Sequence, residues 1–447
     1  MNAVQSEGDA LSSADAKGAK DRVLDQYQDH VFPQVKSIHS DPVVVVEGRG
    51  CRVKDIDGNG YLDFFGGILT VSVGHANEEV NAAVIAQVQR LTHISTLYPT
   101  LPMAELAERL AHITPGALQK CFFTSSGSEA DEAAVMMAQS YTGNSEVIAL
   151  RHGYSGRTLL AQGLTGHAGW RSNAHLAPGI RHAPSPYCYR CPLKLTYPKC
   201  GLACARDLEE LIDTTTSGRV AAMLAEPIQG VGGFITPPLE YFAIVADIVR
   251  QRGGVFIADE VQTGFGRTGR LWGIEHYGVE PEMMTMAKGI ANGLPLGALV
   301  ATAPIADSLT KSTLSTFGGI PVSCAAAIEV IGIVQRDRLA DGAATLGGQL
   351  REGLTRIQNR FPAMVGDVRG LGFMQAIEFV ADETRQDRTP APERTSAFVE
   401  AARQRGLLLG RGGVYGNVVR VAPPLTVSSG EIDEALRIIE DALTDVD

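Results

Sequence analysis

The feature that most constrains this chain is an alternation of short apolar segments with helical segments in its middle part. Helices are predicted at 129–141 and 239–252, each between two apolar segments. The apolar segments of strand length are "KCFFT" (120–124), "EVIAL" (146–150), "AAMLAEPI" (221–228), "GVFIADEV" (254–261), "EMMTMAK" (282–288) and "GALVAT" (297–302). Strands that alternate with helices build a mostly parallel sheet with crossover helices. The sequence therefore predicts an α/β fold whose large domain has helices flanking such a sheet.

The two ends of the chain have a different texture and predict a smaller α+β domain built from both of them. "VVVV" (43–46) and "YLDFF" (61–65) read as strands, and the Asp-Gly and Asn-Gly turns of "DIDGNG" lie between them. Apolar spacing predicts further helices, which are 78–90, 103–113, 394–405 and 430–444. The predicted divisions are a flexible polar lead (1–20), the N-terminal part of the small domain (21–80), the large domain (81–345) and the C-terminal part of the small domain (346–447).

Composition excludes some functions. Of the 447 residues 45% are hydrophobic and 20% charged, and the net charge is −11. An acidic chain of this kind argues against nucleic acid or an anionic membrane as the main partner. No apolar run is long enough to cross a bilayer, and the first residues lack the apolar core of an export signal, so the expected location is the cytoplasm.

One lysine, Lys288, lies in the run "MMTMAKGIANGLPLGA" (283–298) of apolar and small residues. A lysine at a strand end often extends its amine to the surface while its stem stays buried. The same amine, kept partly desolvated, is suited to forming an imine. The segment alone does not decide between these interpretations.

Two other segments decide it. Asp259 and Glu260 end the apolar strand "GVFIA", where parallel sheets bind ligands. "TSSGSEA" (124–130) joins a strand to a helix, and its small residues at a helix N-terminus are suited to hold a phosphate. A phosphate cradle, an acid for a pyridine nitrogen and an imine-forming lysine are what pyridoxal phosphate requires. The sequence predicts this cofactor.

The residues resemble those of the class III, fold-type I pyridoxal-phosphate aminotransferases, from about residue 40 to the C-terminus. The motifs that carry the resemblance, in order, are "GGILTVSVGH" (66–75), "FFTSSGSEA" (122–130), "RHGYSGRT" (151–158), "AEPIQGVGG" (225–233), "ADEVQTGFGRTG" (258–269), "TMAKGIANGLPLGA" (285–298), "STFGGIP" (315–321) and "VVRVAPPL" (418–425). Within that family the chain most resembles the alanine–glyoxylate aminotransferase 2-like branch.

The resemblance implies roles for individual residues. The implied catalytic residues are Lys288, which forms the Schiff base and moves a proton, Asp259 at the pyridine nitrogen, and Tyr154 stacked on the ring. The implied cofactor-binding residues are Ser126, Gly127, Ser128, Tyr154, Glu226, Asp259, Gln262, Lys288 and Thr316. The implied substrate-binding residues are Arg420, Glu226 and Ile68.

Two of these implied roles depend on more than one residue. Arg420 would grip a substrate carboxylate in one half-reaction, and Glu226 would neutralise it in the other. Thr316 would complete the phosphate site of a neighbouring subunit, which implies a homodimer with shared active sites, or a dimer of dimers.

The implied reaction moves an amino group from a small amino acid or ω-amine to pyruvate or glyoxylate. It would follow a ping-pong course through an internal aldimine at Lys288. The alternatives are a phospholyase on a phosphorylated amino-alcohol and an ω-amino acid aminotransferase that uses 2-oxoglutarate. An amino-aldehyde mutase and a non-catalytic pyridoxal-binding protein are further alternatives.

Two positions depart from the family pattern, Ile320 where many relatives have Asn and Ser155 where His is frequent. The smaller Ser155 predicts tolerance of bulkier donors. A cysteine-rich segment (186–207) holds Cys188, Cys191, Cys200 and Cys204 at C-x2-C-x8-C-x3-C. Zinc binding, a disulfide and reduced thiols stay open for these four, and no metal ligand is assigned to the predicted active site.

Overall fold

The computed structural model describes residues 13–172, 176–381 and 388–446. Its helices are α1 (Ser13–His30), α2 (Gly66–Leu69), α3 (Glu78–Arg90), α4 (Leu101–Ile113), α5 (Gly127–Thr142), α6 (Leu159–Leu164), α7 (Ala203–Thr215), α8 (Tyr241–Gln251), α9 (Ala303–Asp307), α10 (Pro321–Arg336), α11 (Leu339–Arg360), α12 (Pro392–Gln404) and α13 (Ser429–Val446). Its strands are β1 (Val45–Arg49), β2 (Arg52–Asp55), β3 (Gly60–Asp63), β4 (Leu118–Thr124), β5 (Val147–Leu150), β6 (Ile180–Ala183), β7 (Ala222–Ala225), β8 (Val255–Asp259), β9 (Met283–Met286), β10 (Gly297–Thr302), β11 (Val365–Leu371), β12 (Met374–Phe379), β13 (Leu407–Leu408), β14 (Gly410–Gly412) and β15 (Val418–Val421).

The central sheet has seven strands in the order β4-β10-β9-β8-β7-β5-β6. The five neighbouring strands β9, β8, β7, β5 and β6 pair in parallel, and β10 runs antiparallel to both β9 and β4. This arrangement confirms the predicted α/β class with a mostly parallel sheet. The strand β6 has no counterpart among the predicted strands.

Both faces of this sheet are buried, and successive residues of a strand face opposite layers. In β8, Val255 and Ile257 join the apolar cluster that contains α5, whereas Phe256 and Ala258 join the cluster that contains α8. In β9, Met283 faces the α5 layer, and Met284 and Met286 face the other side. This alternation decides which polar residues at the strand ends can meet α5.

The chain ends build two smaller sheets, β1-β2-β3-β13 and β11-β12-β15-β14. Strand β13 pairs in parallel with β3, with Leu407 beside Leu62, so the C-terminal unit is tied to the N-terminal strands. The domain boundaries stay predictions, and those after residues 80 and 345 fall inside α3 and α11.

The expectation of a flexible lead over 1–20 needs correction. Residues 1–12 lie outside the described residues, and the remainder of that segment from Ser13 belongs to α1. The segment Ser13–His30 contains one glycine and no proline, which permits a helix despite its polar composition. Within the described ranges, no helix is long and apolar enough to cross a membrane.

Candidate active site

A cavity of about 310 Å³ lies at the carboxyl ends of β8 and β9 and at the N-terminus of α5. Six residues of the predicted site line it, and these are Ser126, Gly127, Ser128, Tyr154, Asp259 and Lys288. Ligands of parallel α/β sheets bind at this edge. The structure therefore brings together four sequence segments, at 126–128, 154, 259 and 288, which are separated by up to about 160 residues along the chain.

The start of α5 forms a cradle for an anion. Ser126 is the N-cap, and its Oγ accepts a hydrogen bond from the Glu129 N–H at 3.3 Å. The Glu129 carboxylate in turn accepts from the Ser125 N–H at 2.8 Å. A methyl group on Gly127 would lie 3.2 Å from Val261, so a larger residue would press on the loop after β8. The first N–H groups of a helix attract phosphate.

The segment after β5 packs directly on this cradle. A Cβ on Gly156 would lie 1.9 Å from the Ser128 Oγ, and the φ of Gly156 is +131°, so glycine is required there. Two residues earlier, Tyr154 is half-buried and meets Trp170 edge-on, with ring centroids 5.6 Å apart. Ser155 also lines the cavity. These contacts fix the Tyr154 ring at one side of the cavity.

Asp259 ends β8 and is buried. Its Oδ1 accepts a hydrogen bond from the Val261 N–H at 3.0 Å. Burial raises the pKa of Asp259 to about 6, against the lowering effects of that hydrogen bond and of Lys288. A buried carboxylate in this place is suited to pair with a protonated ring nitrogen.

Lys288 follows β9 and begins a 3-10 turn, Lys288–Ala291, with a left-handed φ of 45°. Burial lowers its pKa, and the nearby carboxyl groups of Asp259, Glu226 and Asp131 oppose that effect. A methyl group on Gly289 would lie 2.5 Å from the Ser72 Oγ, so the turn packs closely on the segment after α2. The predicted strand 282–288 thus ends at Met286, and the turn places the lysine in the cavity.

Arg420 in β15 is 5% exposed, and its guanidinium lies 4.7 Å from the centre of the Phe65 ring. Its Nη2 donates to the Arg411 carbonyl at 2.9 Å, whereas Nε and Nη1 have no partner among the described residues. Burial lowers its pKa to about 10, and the Glu226 charge raises it. A buried guanidinium with free donors is suited to bind a carboxylate.

Glu226 is held by backbone groups rather than by Arg420. Its carboxylate accepts from the N–H of Tyr154 at 3.0 Å and of Gly230 at 2.7 Å. Burial and the charge of Asp259 raise its pKa to about 8. None of the ion pairs within 4.0 Å in the described part of the chain joins Glu226 to Arg420, so their switch stays a prediction.

Five predicted residues do not line this cavity, namely Arg420 and Glu226, described above, and Gln262, Thr316 and Ile68. Gln262 is buried, and its Oε1 has no hydrogen-bond partner in the described structure. Thr316 lines a separate small cavity with Thr100. Ile68 is 45% exposed in a left-handed turn, and Thr70 lines the cavity instead.

Asp131 was not predicted, yet it lines the same cavity and is 1% exposed. It lies four residues after Gly127, and residues at this spacing share one face of a helix. That spacing is the feature of the sequence from which the position of Asp131, on the same face of α5 as Gly127, could have been predicted.

The donor set fits pyridoxal phosphate. The cradle leaves helix N–H groups for a phosphate, Lys288 offers an amine, and Asp259 offers a buried carboxylate. The Gln262 Oε1 and the Arg420 Nε and Nη1 lie outside this cavity and have no partner among the described residues.

The four clustered cysteines, Cys188, Cys191, Cys200 and Cys204, line one small cavity away from Lys288. All four are free thiols, and burial raises the pKa of Cys204 to about 11. Across the residues that the structure describes, no group of three or more His, Cys, Asp or Glu is arranged to hold a metal ion.

Comparison with known proteins identifies the family of this chain. The family described as aminotransferase class III matches residues 35–443. An Arabidopsis thaliana protein named alanine–glyoxylate aminotransferase 2 homolog 2, mitochondrial, is 40% identical over 92% of this chain and 85% of its own. A leucine/methionine racemase from Thermococcus litoralis is 34% identical over 96% of both chains.

The structure is also similar to that of an amine transaminase from an uncultivated Pseudomonas species, solved with pyridoxal phosphate bound. The TM-score is 0.87 and the identity 32%, over 94% of this chain and 99% of that one. The extent of these matches is enough to assign the family. The chain belongs to the class III aminotransferases and is an enzyme that depends on pyridoxal phosphate.

Proposed function

We propose that the enzyme transfers an amino group from a small amino acid or ω-amine to pyruvate or glyoxylate. The observation that carries this proposal is Arg420, a buried guanidinium with two unpartnered nitrogens beside Phe65. An α-keto acid presents the carboxylate that such a group binds bidentately. The similarity to a plant protein named for alanine and glyoxylate supports the same acceptor class.

In this proposal, bound pyridoxal phosphate supplies an aldehyde that takes up the amino group and a ring that withdraws electrons. The N–H groups of Gly127 and Ser128 hold the phosphate, with Ser126 fixing the helix start. The Asp259 carboxylate keeps a proton on the ring nitrogen, and Tyr154 covers the ring face.

Lys288 has two tasks in the proposal. Its Nζ would hold the cofactor covalently, and as a neutral amine it would move a proton to or from the substrate Cα. Burial lowers the lysine pKa, which favours the neutral amine. The two half-reactions then alternate in a ping-pong sequence.

Arg420 and Glu226 would allow one site to bind both the keto acid and an ω-amine without a carboxylate. Arg420 binds the carboxylate of a keto acid, and Glu226 lies close enough to raise the Arg420 pKa. When an ω-amine without a carboxylate binds, movement of one side chain lets Glu226 neutralise the guanidinium. Gln262 would then contact the ring hydroxyl, and Ile68 would border the outer part of the site.

The proposed assembly is a homodimer, with a dimer of dimers as the larger form. Thr316 lies outside the Lys288 cavity of its own chain, which supports a role in a neighbour's phosphate site. Large apolar side chains are exposed near it, and these are Leu97, Tyr98, Leu101, Leu314 and Phe317. An apolar surface of this extent supports an interface between subunits.

A donor panel tested against pyruvate, glyoxylate and 2-oxoglutarate decides the substrate class. The proposal expects pyruvate or glyoxylate to be used at least about tenfold better than 2-oxoglutarate, measured by kcat/KM. A clear preference for 2-oxoglutarate would favour the ω-amino acid aminotransferase. Release of inorganic phosphate from phosphoethanolamine without a keto acid would overturn transamination in favour of a lyase.

The proposed location is the cytoplasm, although the plant relative is named as mitochondrial. Fractionation of the source cells, with the enzyme followed by antibody, tests this point.

A further inference from the structure

The sheet alternation directs two polar residues toward α5. Asp259 continues the set of β8 residues that face α5, and Thr285 occupies the same set in β9. The two are paired across the strands, so their side chains lie on the same face of the sheet. Asp131 belongs to α5, which packs on that face of the sheet, and it interacts with both residues.

The carboxyl group of Asp131 is unusual for a buried acid. It is 1% exposed, and its Oδ1 has no hydrogen-bond partner in the described part of the chain. The Thr285 hydroxyl lies near it but does not complete a hydrogen bond of good geometry. None of the ion pairs within 4.0 Å among the described residues includes Asp131. Ionising such a group costs free energy because nothing pairs with its charge.

Asp131 and Asp259 line one cavity and interact. Two carboxyl groups that share a buried site do not both ionise readily, because like charges repel strongly there. Asp259 is the more favourable site for the negative charge, because the Val261 N–H donates to it and Lys288 favours its ionised form. The proton of the pair therefore belongs to Asp131.

We propose that Asp131 is a positioning residue that holds a proton at neutral pH, so that Asp131 and Asp259 together present a single negative charge to the cofactor ring nitrogen. The inference rests on the proposed role of Asp259. Asp131 acts through Asp259, because a neutral neighbour lets that carboxylate stay charged without repulsion.

The groups around Asp131 come from four parts of the chain. They are Asp259 at the end of β8, Thr285 in β9, Glu226 after β7 and Lys288 after β9. Burial raises the pKa of Asp131 well above its ordinary value, and the charge of Asp259 adds to this effect. Thr285 and Lys288 oppose it, whereas Glu226 reinforces it.

The test compares the full-length apoenzyme with Asp131→Asn, which keeps the shape but cannot ionise. An acid with a raised pKa in the folded state stabilises the fold below its unfolded pKa, and that contribution is lost as the pH rises toward the folded pKa. Wild type should therefore lose more stability with rising pH than the variant, in which the raised pKa values of Asp259 and Glu226 still contribute. Denaturant unfolding from about pH 4 to about pH 9 should show their unfolding constants diverging by up to tenfold per pH unit.

The matched control is Asp25→Asn, because Asp25 is an exposed residue of α1. Its difference from wild type gives the baseline for removing one exposed carboxyl group. A flat difference curve for Asp131→Asn over the same range would overturn the proposal, since it would mean that Asp131 is already ionised there. Because the measurement uses no substrate, it is independent of the substrate assay. The Asp131 proposal can therefore be overturned while transamination is confirmed, and transamination can be overturned while the Asp131 proposal is confirmed.

A second measurement detects the proton in wild type, so it can contradict the proposal even if the variant does not fold. Infrared spectra of wild type with ¹³C-carboxyl aspartate at about pH 8 should contain the carbonyl stretch of a protonated acid. Asp259 lines the same cavity, so loss of the band in Asp131→Asn assigns it to Asp131 rather than to Asp259. Absence of the band would contradict the assignment of the proton to Asp131.

Discussion

At the residue scale, the surroundings of Lys288 determine its chemistry. Its left-handed turn carries the amine away from the strand and into the cavity, where burial lowers its pKa. Because three carboxyl groups lie close by, the amine remains able to take up a proton. The turn and the acids together suit it to alternate between a neutral and a charged state.

Lys288→Ala should prevent covalent attachment of the cofactor. Wild type incubated with pyridoxal phosphate and then reduced with borohydride should gain one stable adduct at Lys288, read by peptide mass spectrometry. The control is Lys120→Ala, because Lys120 is an exposed residue of β4 paired with Asp307. An adduct that persists in Lys288→Ala, or that wild type carries only at other lysines, would contradict the assignment.

Arg420→Gln should weaken acceptors that carry a carboxylate and spare those that do not. The loss of charged hydrogen bonds predicts a KM for pyruvate about 10- to 100-fold higher. The KM for a simple aldehyde acceptor should change by less than about threefold. Arg411→Gln, at an exposed residue of the adjacent strand β14, is the matched control. Equal effects on both acceptors would show that Arg420 acts on the fold rather than on the carboxylate.

At the scale of elements, sequence patterns predict six helices of the described structure, and those with no predicted counterpart are α1, α2, α6, α7, α9, α10 and α11. The six predicted helices begin and end within two residues of α3, α4, α5, α8, α12 and α13. Apolar spacing and caps are local signals, so they can be read without the rest of the molecule. The strand β6 was missed because "IRHA" carries little apolar character and is held by pairing with β5.

The start of α5 depends on Ser126 as its N-cap. Ser126→Ala should lower the free energy of unfolding of the apoenzyme by about 1 kcal/mol, measured by denaturant titration. Ser126→Asn keeps a capping oxygen and should cost only a few tenths of that, about 0.3 kcal/mol. If both variants lose the same stability, the side-chain hydrogen bond to Glu129 is not what stabilises the helix start.

At the scale of the whole molecule, the site joins three separate parts of the chain. The cradle and the lysine lie beside the carboxyl ends of the central strands, whereas Arg420 belongs to the sheet of β11, β12, β14 and β15. Phe65, which lies under Arg420, comes from the N-terminal segment. Thr70 from the same N-terminal part lines the cavity and Arg420 does not, so the cavity borders the central sheet and the N-terminal part of the chain.

The proposed dimer predicts complementation between two inactive variants. A chain with Lys288→Ala keeps Thr316, and a chain with Thr316→Asp keeps Lys288, so each mixed dimer has one intact site. Refolding equal amounts together should restore about a quarter of wild-type activity, because half of randomly formed dimers are mixed. Each variant refolded alone is the control, and a mixture no more active than the controls would argue against shared sites.

The sequence by itself determined the alternation of strands and helices, the cradle, and the lysine and aspartate at strand ends, because each depends on residues close together in the chain. Only the tertiary structure brought Asp131 against Asp259 and Thr285, and left two donors of Arg420 unpartnered over Phe65. These features arise from packing between distant segments. Burial there removes water from charged groups, and that desolvation moves their pKa values and decides what they can bind.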